Sequence, residues 1–158
     1  VAIDQADIGQ AQACAALHQS AFWHGWDEEA FYSFLRDETI TCLIARPIGL
    51  PERLVGFVLV RQVGDEAEII TLAVLPTYRR QGIGYALLDA SLRHFHHQRV
   101  QKLFLEVEEK NHAAYKLYCR LGFEEIGRRP AYYQTREGRC DALVMQRTFN
   151  LHSSLKKT

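Results

Sequence analysis

The sequence predicts an α/β domain in which helices cover both faces of a mixed sheet. Three observations carry that prediction. Residues 69–88 pass from a run of β-branched and aliphatic residues through a basic, glycine-bearing turn into helical periodicity. Residues 102–108 alternate strictly, with Leu103, Leu105 and Val107 on one side and Phe104, Glu106 and Glu108 on the other, the two-residue period of a strand. The elements then follow one another as helix, helix, three strands, helix, strand, helix and two strands, an order that a sheet layered with helices accommodates.

Taken in order, Asp7 is placed to cap a first helix reaching about residue 20, with Ile8, Ala11, Ala15 and Phe22 near its inward face. An aromatic-rich break follows at 22–26. Asp27 caps a second helix whose first turn carries Glu28 and Glu29, favourable against the positive end of the helix dipole, and whose Phe31, Phe34 and Leu35 face inward. Residues 39–45 read as a strand, Pro47, Gly49 and Pro51 as a loop, and 54–61 as the antiparallel return. Gly64 and Asp65 turn the chain into a long strand, which Pro76 ends because it has no N–H to donate.

A helix over about 82–97 buries Leu88, Leu92 and Phe95. After the alternating strand, Asn111 caps a helix carrying Ala114, Leu117, Tyr118 and Leu121, and Gly122 is its left-handed stop, with Phe123 the apolar residue beyond it. Residues 123–128 read as a strand, 130–139 as a polar, tyrosine-bearing excursion, and 140–148 as the closing strand. Residues 1–149 thus form one domain, and 150–158, poor in apolar residues, read as a loose tail.

Composition narrows the function. Of 158 residues, 47% are apolar, enough for one domain with a real core. The formal net charge is zero, which argues against general binding to nucleic acid or an anionic membrane. No apolar run approaches the ~20 residues of a membrane span. The first residues do not form a signal peptide, and the missing Met leaves a trimmed start open. Cys14, Cys42, Cys119 and Cys140 are widely spread without a Cys-x-x-Cys pair, as in reduced thiols of a cytoplasmic protein. No metal is expected: His94, His96 and His97 cluster without a Cys or acidic residue to complete a site. Cys119 has no His placed by sequence to activate it as a nucleophile.

The chemistry-bearing stretch is Arg79-Arg80-Gln81-Gly82-Ile83-Gly84-Tyr85. Strand, basic glycine turn and helix start make a phosphate cradle, because N–H groups unpaired at a helix N-terminus point at an anion and glycines let the main chain approach it. A P-loop would need Gly-x-x-x-x-Gly-Lys-Ser/Thr, which is absent. A dinucleotide fingerprint would need a third glycine where Leu87 stands. Glu106 interrupts an apolar strand, so it either faces a wet cleft or is a solvated outer-face residue. Tyr118 is either functional or a core tyrosine with its hydroxyl tied to backbone.

Arg-x-x-Gly-x-Gly directly after a strand resembles the coenzyme-A pyrophosphate loop of the GNAT superfamily of N-acetyltransferases. Residues 105–123, Leu-Glu-Val-Glu-Glu-Lys-Asn-His-Ala-Ala-Tyr-Lys-Leu-Tyr-Cys-Arg-Leu-Gly-Phe, resemble that superfamily's second motif. They are most similar to the RimI branch, the ribosomal-protein alanine N-acetyltransferases. Trp26 before an acidic helix start, Arg-Arg-Pro-Ala-Tyr-Tyr at 128–133 and Asp-Ala-Leu-Val-Met at 141–145 extend the resemblance from Asp7 to about Arg147.

The resemblance implies a mixed, mostly antiparallel sheet of about six to seven strands with helices on both faces, and acetyl-coenzyme A (acetyl-CoA) as cosubstrate. It implies that Leu72, Ala73 and Val74 offer backbone groups to the pantetheine arm. Arg79 would add positive charge, Arg80, Gln81, Gly82, Ile83, Gly84 and Tyr85 would hold the pyrophosphate, and Asn111 would hydrogen-bond to the cofactor. Glu106 would be the general base, Tyr118 the general acid, and Trp26, Tyr132 and Tyr133 the peptide-end pocket, with plain packing as the alternative for these aromatics. The implied reaction is direct acetylation of a protein N-terminal amine, such as the N-terminal alanine of a ribosomal protein, without a covalent enzyme intermediate. A small amine, a lysine side chain, or a non-catalytic acetyl-CoA-binding module are the alternatives. The partners implied are a protein or peptide N-terminus, with no nucleic acid and no membrane, for a cytoplasmic monomer or weak dimer. Glu108 stands where RimI proteins often carry Arg, Gly25 where they carry Pro, and the loop 47–53 is longer. These departures leave the choice of peptide open.

Overall fold

Asp7 and Asp27 both open helices. Asp7 accepts from the N–H of Gly9 at 2.8 Å while its own N–H donates to Gln10 Oε1 at 2.7 Å, a reciprocal capping box. Asp27 accepts from the N–H of Ala30 at 2.9 Å. In the computed structural model, which describes residues 1–22, 24–135 and 137–149, the elements run β1 (Ala2–Gln5), α1 (Ala11–Ala21), α2 (Glu28–Arg36), β2 (Ile40–Arg46), β3 (Gly56–Val63), β4 (Glu66–Val74), α3 (Ile83–His97), β5 (Lys102–Glu108), α4 (His112–Arg120), β6 (Glu124–Thr135) and β7 (Gly138–Thr148). The strands form one sheet in the order β1-β2-β3-β4-β5-β7-β6. The pairs β1–β2, β2–β3, β5–β7 and β6–β7 are antiparallel, and β4–β5 is parallel. A parallel pair cannot be closed by a hairpin, so the chain returns from β4 to β5 through α3.

The chain divides into two compact units. The first comprises Val1–Gln62 and Ile70–Leu92, the second Val63–Ile69 and the residues from Arg93 onward. In the first, Ala11, Cys14, Phe31, Ile44, Phe57 and Leu59 form the core. Phe31 of α2 meets Phe57 of β3 edge to face, with centroids 5.3 Å apart. The strand β1 was not foreseen: four residues of mixed polarity carry too little pattern, and the pairing of Ala2–Gln5 with β2 makes them a strand. Ile8 and Phe22 are 43% and 41% exposed rather than inward. The capping box starts a 3₁₀ turn, Ile8–Gln10, whose three-residue period takes Ile8 off the stripe of α1. Gly56 lets helix and sheet meet closely, since a Cβ there would lie 3.1–3.2 Å from Ile83, Leu87 and the carbonyl of Ala73.

In the second unit β5 alternates as its sequence predicts, with Leu103, Leu105 and Val107 buried. It pairs with β7 from Lys102↔Thr148 to Glu108↔Ala142. Residues 130–139 are no excursion: β6 continues to Thr135 and β7 begins at Gly138. Register shifts between Glu125 and Gly127 and between Arg129 and Tyr133 absorb the irregular residues, and an edge strand tolerates Pro130 at such a bulge. Asn111 caps α4 by accepting from the N–H of Ala114 at 3.2 Å. Gly122 ends α4 at φ +91°, and Arg147 Nε donates to the carbonyl of Leu121 at 2.9 Å. The expected tail at 150–158 lies outside the described residues.

Candidate active site

Glu106 sits at the middle of β5, on the face opposite the buried leucines, with its side chain only 14% exposed. Its Oε1 lies 3.0 Å from Arg129 Nε in an ion pair. Burial pushes the carboxyl pKa above its usual range and nearby Glu68 pushes the same way, while the Arg129 guanidinium pulls it back. Tyr133 donates its hydroxyl to the backbone carbonyl of Glu106 at 3.4 Å. Burial, then the charge of Glu106, and to a lesser extent Tyr132 and Tyr118, raise the Tyr133 hydroxyl's pKa. Tyr132 and Tyr133 lie edge to face, and the Arg129 guanidinium stands 5.1 Å from the centre of the Tyr132 ring. Tyr118 is 7% exposed on the inner side of α4, and burial pushes its pKa up to about 12. The fold therefore gathers Glu106, Arg129, Tyr132 and Tyr133, with Tyr118 within electrostatic reach of Tyr133.

A second network holds this arrangement. Arg128 Nη1 donates to Glu109 Oε2 at 2.7 Å and to Asp141 Oδ2 at 2.8 Å. The other Asp141 oxygen accepts from the N–H of Ala131 at 2.8 Å. These bonds hold the Asp141 carboxyl below its usual range, the Ala131 N–H contributing most. Sequence reasoning assigned no role to Arg128, Arg129 or Asp141. The adjacent arginines in a strand were the available signal, since successive side chains point to opposite faces. What each one meets depends on the bulge that follows.

In the first unit, Leu72 and Val74 are partly exposed on β4, and Ala73 between them is buried. A 3₁₀ turn, Pro76–Tyr78, then leads to Arg79. Arg80 and Gly82 both take positive φ, +64° and +80°, before α3 begins at Ile83. Left-handed residues alternating with other backbone conformations are the kind of geometry from which anion nests are built. The N–H groups of Ile83 and Gly84 fall in the first turn of α3, where a helix supplies no acceptor, and no acidic residue stands in that turn. Arg79, Arg80 and Gln81 are exposed. The N-cap bond of Asn111 uses its carboxamide oxygen, which leaves its NH₂ as the end to offer a ligand.

Trp26 also belongs to the first unit and packs against the core. Its ring stacks on His18 at 4.4 Å and 11°, and its backbone N–H donates to His18 Nδ1 at 3.0 Å. Phe31 and Phe34 complete the cluster. Burial lowers the His18 pKa to about 4, so the ring is neutral. Among the described residues no group of three or more side chains is arranged to hold a metal ion, and no helix is long and apolar enough to cross a membrane.

Residues 11–123 match the model of the acetyltransferase (GNAT) family. The chain is 36% identical over 133 residues to a [ribosomal protein bS18]-alanine N-acetyltransferase of Escherichia coli (strain K12), covering 83% of this chain and 87% of that protein. Its fold superposes on the crystal structure of the Escherichia coli ribosomal-protein-S18-alanine N-acetyltransferase with a TM-score of 0.87, at 33% identity, covering 93% and 92% of the two chains. It also shares the fold of Arabidopsis thaliana NAA60 in complex with acetyl-CoA, with a TM-score of 0.81 at 21% identity, over 94% and 98% of the chains.

Proposed function

This chain belongs to the acetyltransferase (GNAT) family, and from that premise we propose that it is an acetyl-CoA-dependent Nα-acetyltransferase acting on a protein N-terminus. The N-terminal alanine of a ribosomal protein of the bS18 kind is the first candidate substrate, which places the enzyme in the cytoplasm. Residues 1–149 act in this reading as one catalytic domain. Glu106 is the observation that carries it: a mostly buried carboxylate with a raised pKa, in a chain closely similar to an alanine N-acetyltransferase.

Each assigned residue then has a task. The nest at Arg80–Gly82 and the first turn of α3, with Ile83, Gly84 and Tyr85, hold the pyrophosphate, and Arg79 and Arg80 add charge. Leu72, Ala73 and Val74 receive the pantetheine arm by backbone hydrogen bonds, and Asn111 donates from its NH₂. An α-amine with a pKa of about 8 is mostly ammonium at neutral pH. Glu106 takes that proton, and its raised pKa makes it the stronger base for doing so. The freed lone pair attacks the thioester carbonyl, and a β4 N–H near Val74 stabilises the oxyanion. As the C–S bond breaks, the nitrogen gives up its remaining extra proton to solvent, and Tyr118 donates its O–H proton to the departing sulfur and is reprotonated from solvent. With a pKa of about 12 it stays protonated across the working range. An ordinary thiol pKa of about 8.5 lies below that, so the transfer completes only where the desolvation that raises Tyr118 also raises the basicity of sulfur. Tyr132 and Tyr133 line the approach of the peptide, with Trp26 as the third aromatic assigned to it.

A small cationic amine would favour spare carboxylates at the site. Glu109 is not spare, because Arg128 holds it. Free coenzyme A released in the presence of short peptides tests the reading. The peptides vary only in the first residue and are compared with an Nα-blocked lysine peptide and with small amines. Turnover best on Ala-first peptides and absent from the blocked control is expected. Turnover confined to small amines or lysine overturns the substrate, and none on any amine overturns catalysis in favour of an acetyl-CoA-binding module.

A further inference from the structure

We propose that Arg129 is a positioning residue for Glu106: its guanidinium holds the carboxylate ionised and oriented in the free protein, and it is the cation that the substrate's ammonium displaces. The proposal rests on reading Glu106 as the base.

The placement is specific. β5 and β6 are not neighbours, since β7 lies between them. Glu106 is opposite Val144 and Arg129 is opposite Ala142, two positions apart on β7, so all four side chains share one face of the sheet. Arg129 reaches across the intervening strand and closes an Nε–Oε1 distance of 3.0 Å. Arg128, its neighbour, points to the opposite face and is already held by Glu109 and Asp141. The register shift after Arg129 brings Tyr132 under the same guanidinium.

The charges around Glu106 give the pair its purpose. From β4 Glu68 adds negative charge, and from β6 Tyr133 offers a hydroxyl to the Glu106 carbonyl. From β7 Val144 brings none, and from α4 Tyr118 is neutral. Burial and Glu68 both drive Glu106 toward the protonated acid, which cannot accept a proton. Arg129 opposes them. Its side chain is 57% exposed, and an ion pair with one partner half in water is weak enough to exchange. A substrate ammonium entering at Glu106 replaces one cation by another, so the charge on the carboxylate stays balanced until the proton moves. Released from Glu106, the guanidinium keeps its contact with the Tyr132 ring.

The test combines kcat/KM against pH on an Ala-first peptide with direct titration of Glu106 by carboxyl ¹³C NMR, assigned with E106Q. Wild type, R129Q and R129K are compared. R129Q is expected to move the Glu106 titration upward by about one pH unit and the acid limb of kcat/KM with it, a roughly tenfold loss of rate below the midpoint. R129K restores most of both. Well above the midpoint, R129Q is expected to leave the peptide KM equal or lower, because the competing cation is gone. An unchanged Glu106 titration in R129Q overturns the proposal, and a raised KM above the midpoint overturns the displacement. If the titration moves while the acid limb stays, Arg129's hold on Glu106 stands and the assignment of Glu106 as base falls.

Discussion

Asp141 on β7 accepts a hydrogen bond from the backbone N–H of Ala131 on β6, at 2.8 Å, and Ala131 stands at φ +51°. A left-handed alanine is unfavourable, and this bond helps hold it. The bulge so maintained carries Arg129, Tyr132 and Tyr133. Asp141→Ala is therefore expected to lower kcat/KM roughly 10- to 100-fold, the loss that misplacing substrate-positioning groups by about 1 Å produces. The midpoint of thermal unfolding moves little by comparison. Steady-state kinetics beside a melting curve checks this, and an unaltered kcat/KM would show that the bulge holds without Asp141.

Glu106→Gln keeps the shape of the side chain and removes its basicity. Turnover is expected to fall by about 10²–10⁴ while the affinity for acetyl-CoA is preserved. Tyr118→Phe is expected to lower kcat more than it raises the peptide KM, since the lost hydroxyl acts on the leaving sulfur. Stopped-flow and steady-state assays separate the two.

Gly82 stands at φ +80° in the loop assigned to the pyrophosphate. Nothing lies within 4 Å of where a Cβ would go, so a side chain there meets backbone strain rather than a clash. Gly82→Ala is expected to raise the Kd for acetyl-CoA about tenfold by tilting the nest. Calorimetry with acetyl-CoA measures it, with the unfolding midpoint as control.

His18 makes folding pH-dependent. Its folded pKa of about 4 lies below the ordinary 6.5, so the unfolded chain takes a proton that the folded chain refuses. The contribution to stability is fully present above pH 6.5 and is lost as pH falls from 6.5 toward 4. Urea titrations across that window are expected to show a falling midpoint, and the slope should flatten in His18→Gln.

Gly122→Ala tests the end of α4. At φ +91° a Cβ is strained, and it would lie 2.7 Å from Arg147 Nε, displacing the cap on Leu121. A loss of about 1–2 kcal/mol or more in chemical denaturation is expected.

Much of this was legible along the chain because it is local. Asp7, Asp27 and Asn111 cap where they stand, Gly122 stops its helix, and the alternation of residues 102–108 matches β5 residue for residue. Local signals failed where pattern was thin or contradictory. Four residues were too few to reveal β1, and Pro130 among tyrosines looked like a loop until pairing with β7 made it a bulged edge strand.

The sequence by itself determined the acetyltransferase motifs, the element order from the first helix onward and the candidacy of Glu106 and Tyr118, because turns, caps and periodicities depend on residues a few positions apart. Only the tertiary structure decided which charges Glu106 meets. Arg129 lies 23 positions along the chain from Glu106 and reaches it across β7. That encounter depends on strand order, register and one bulge, and these are set by pairing between distant segments rather than by any residue's own preference.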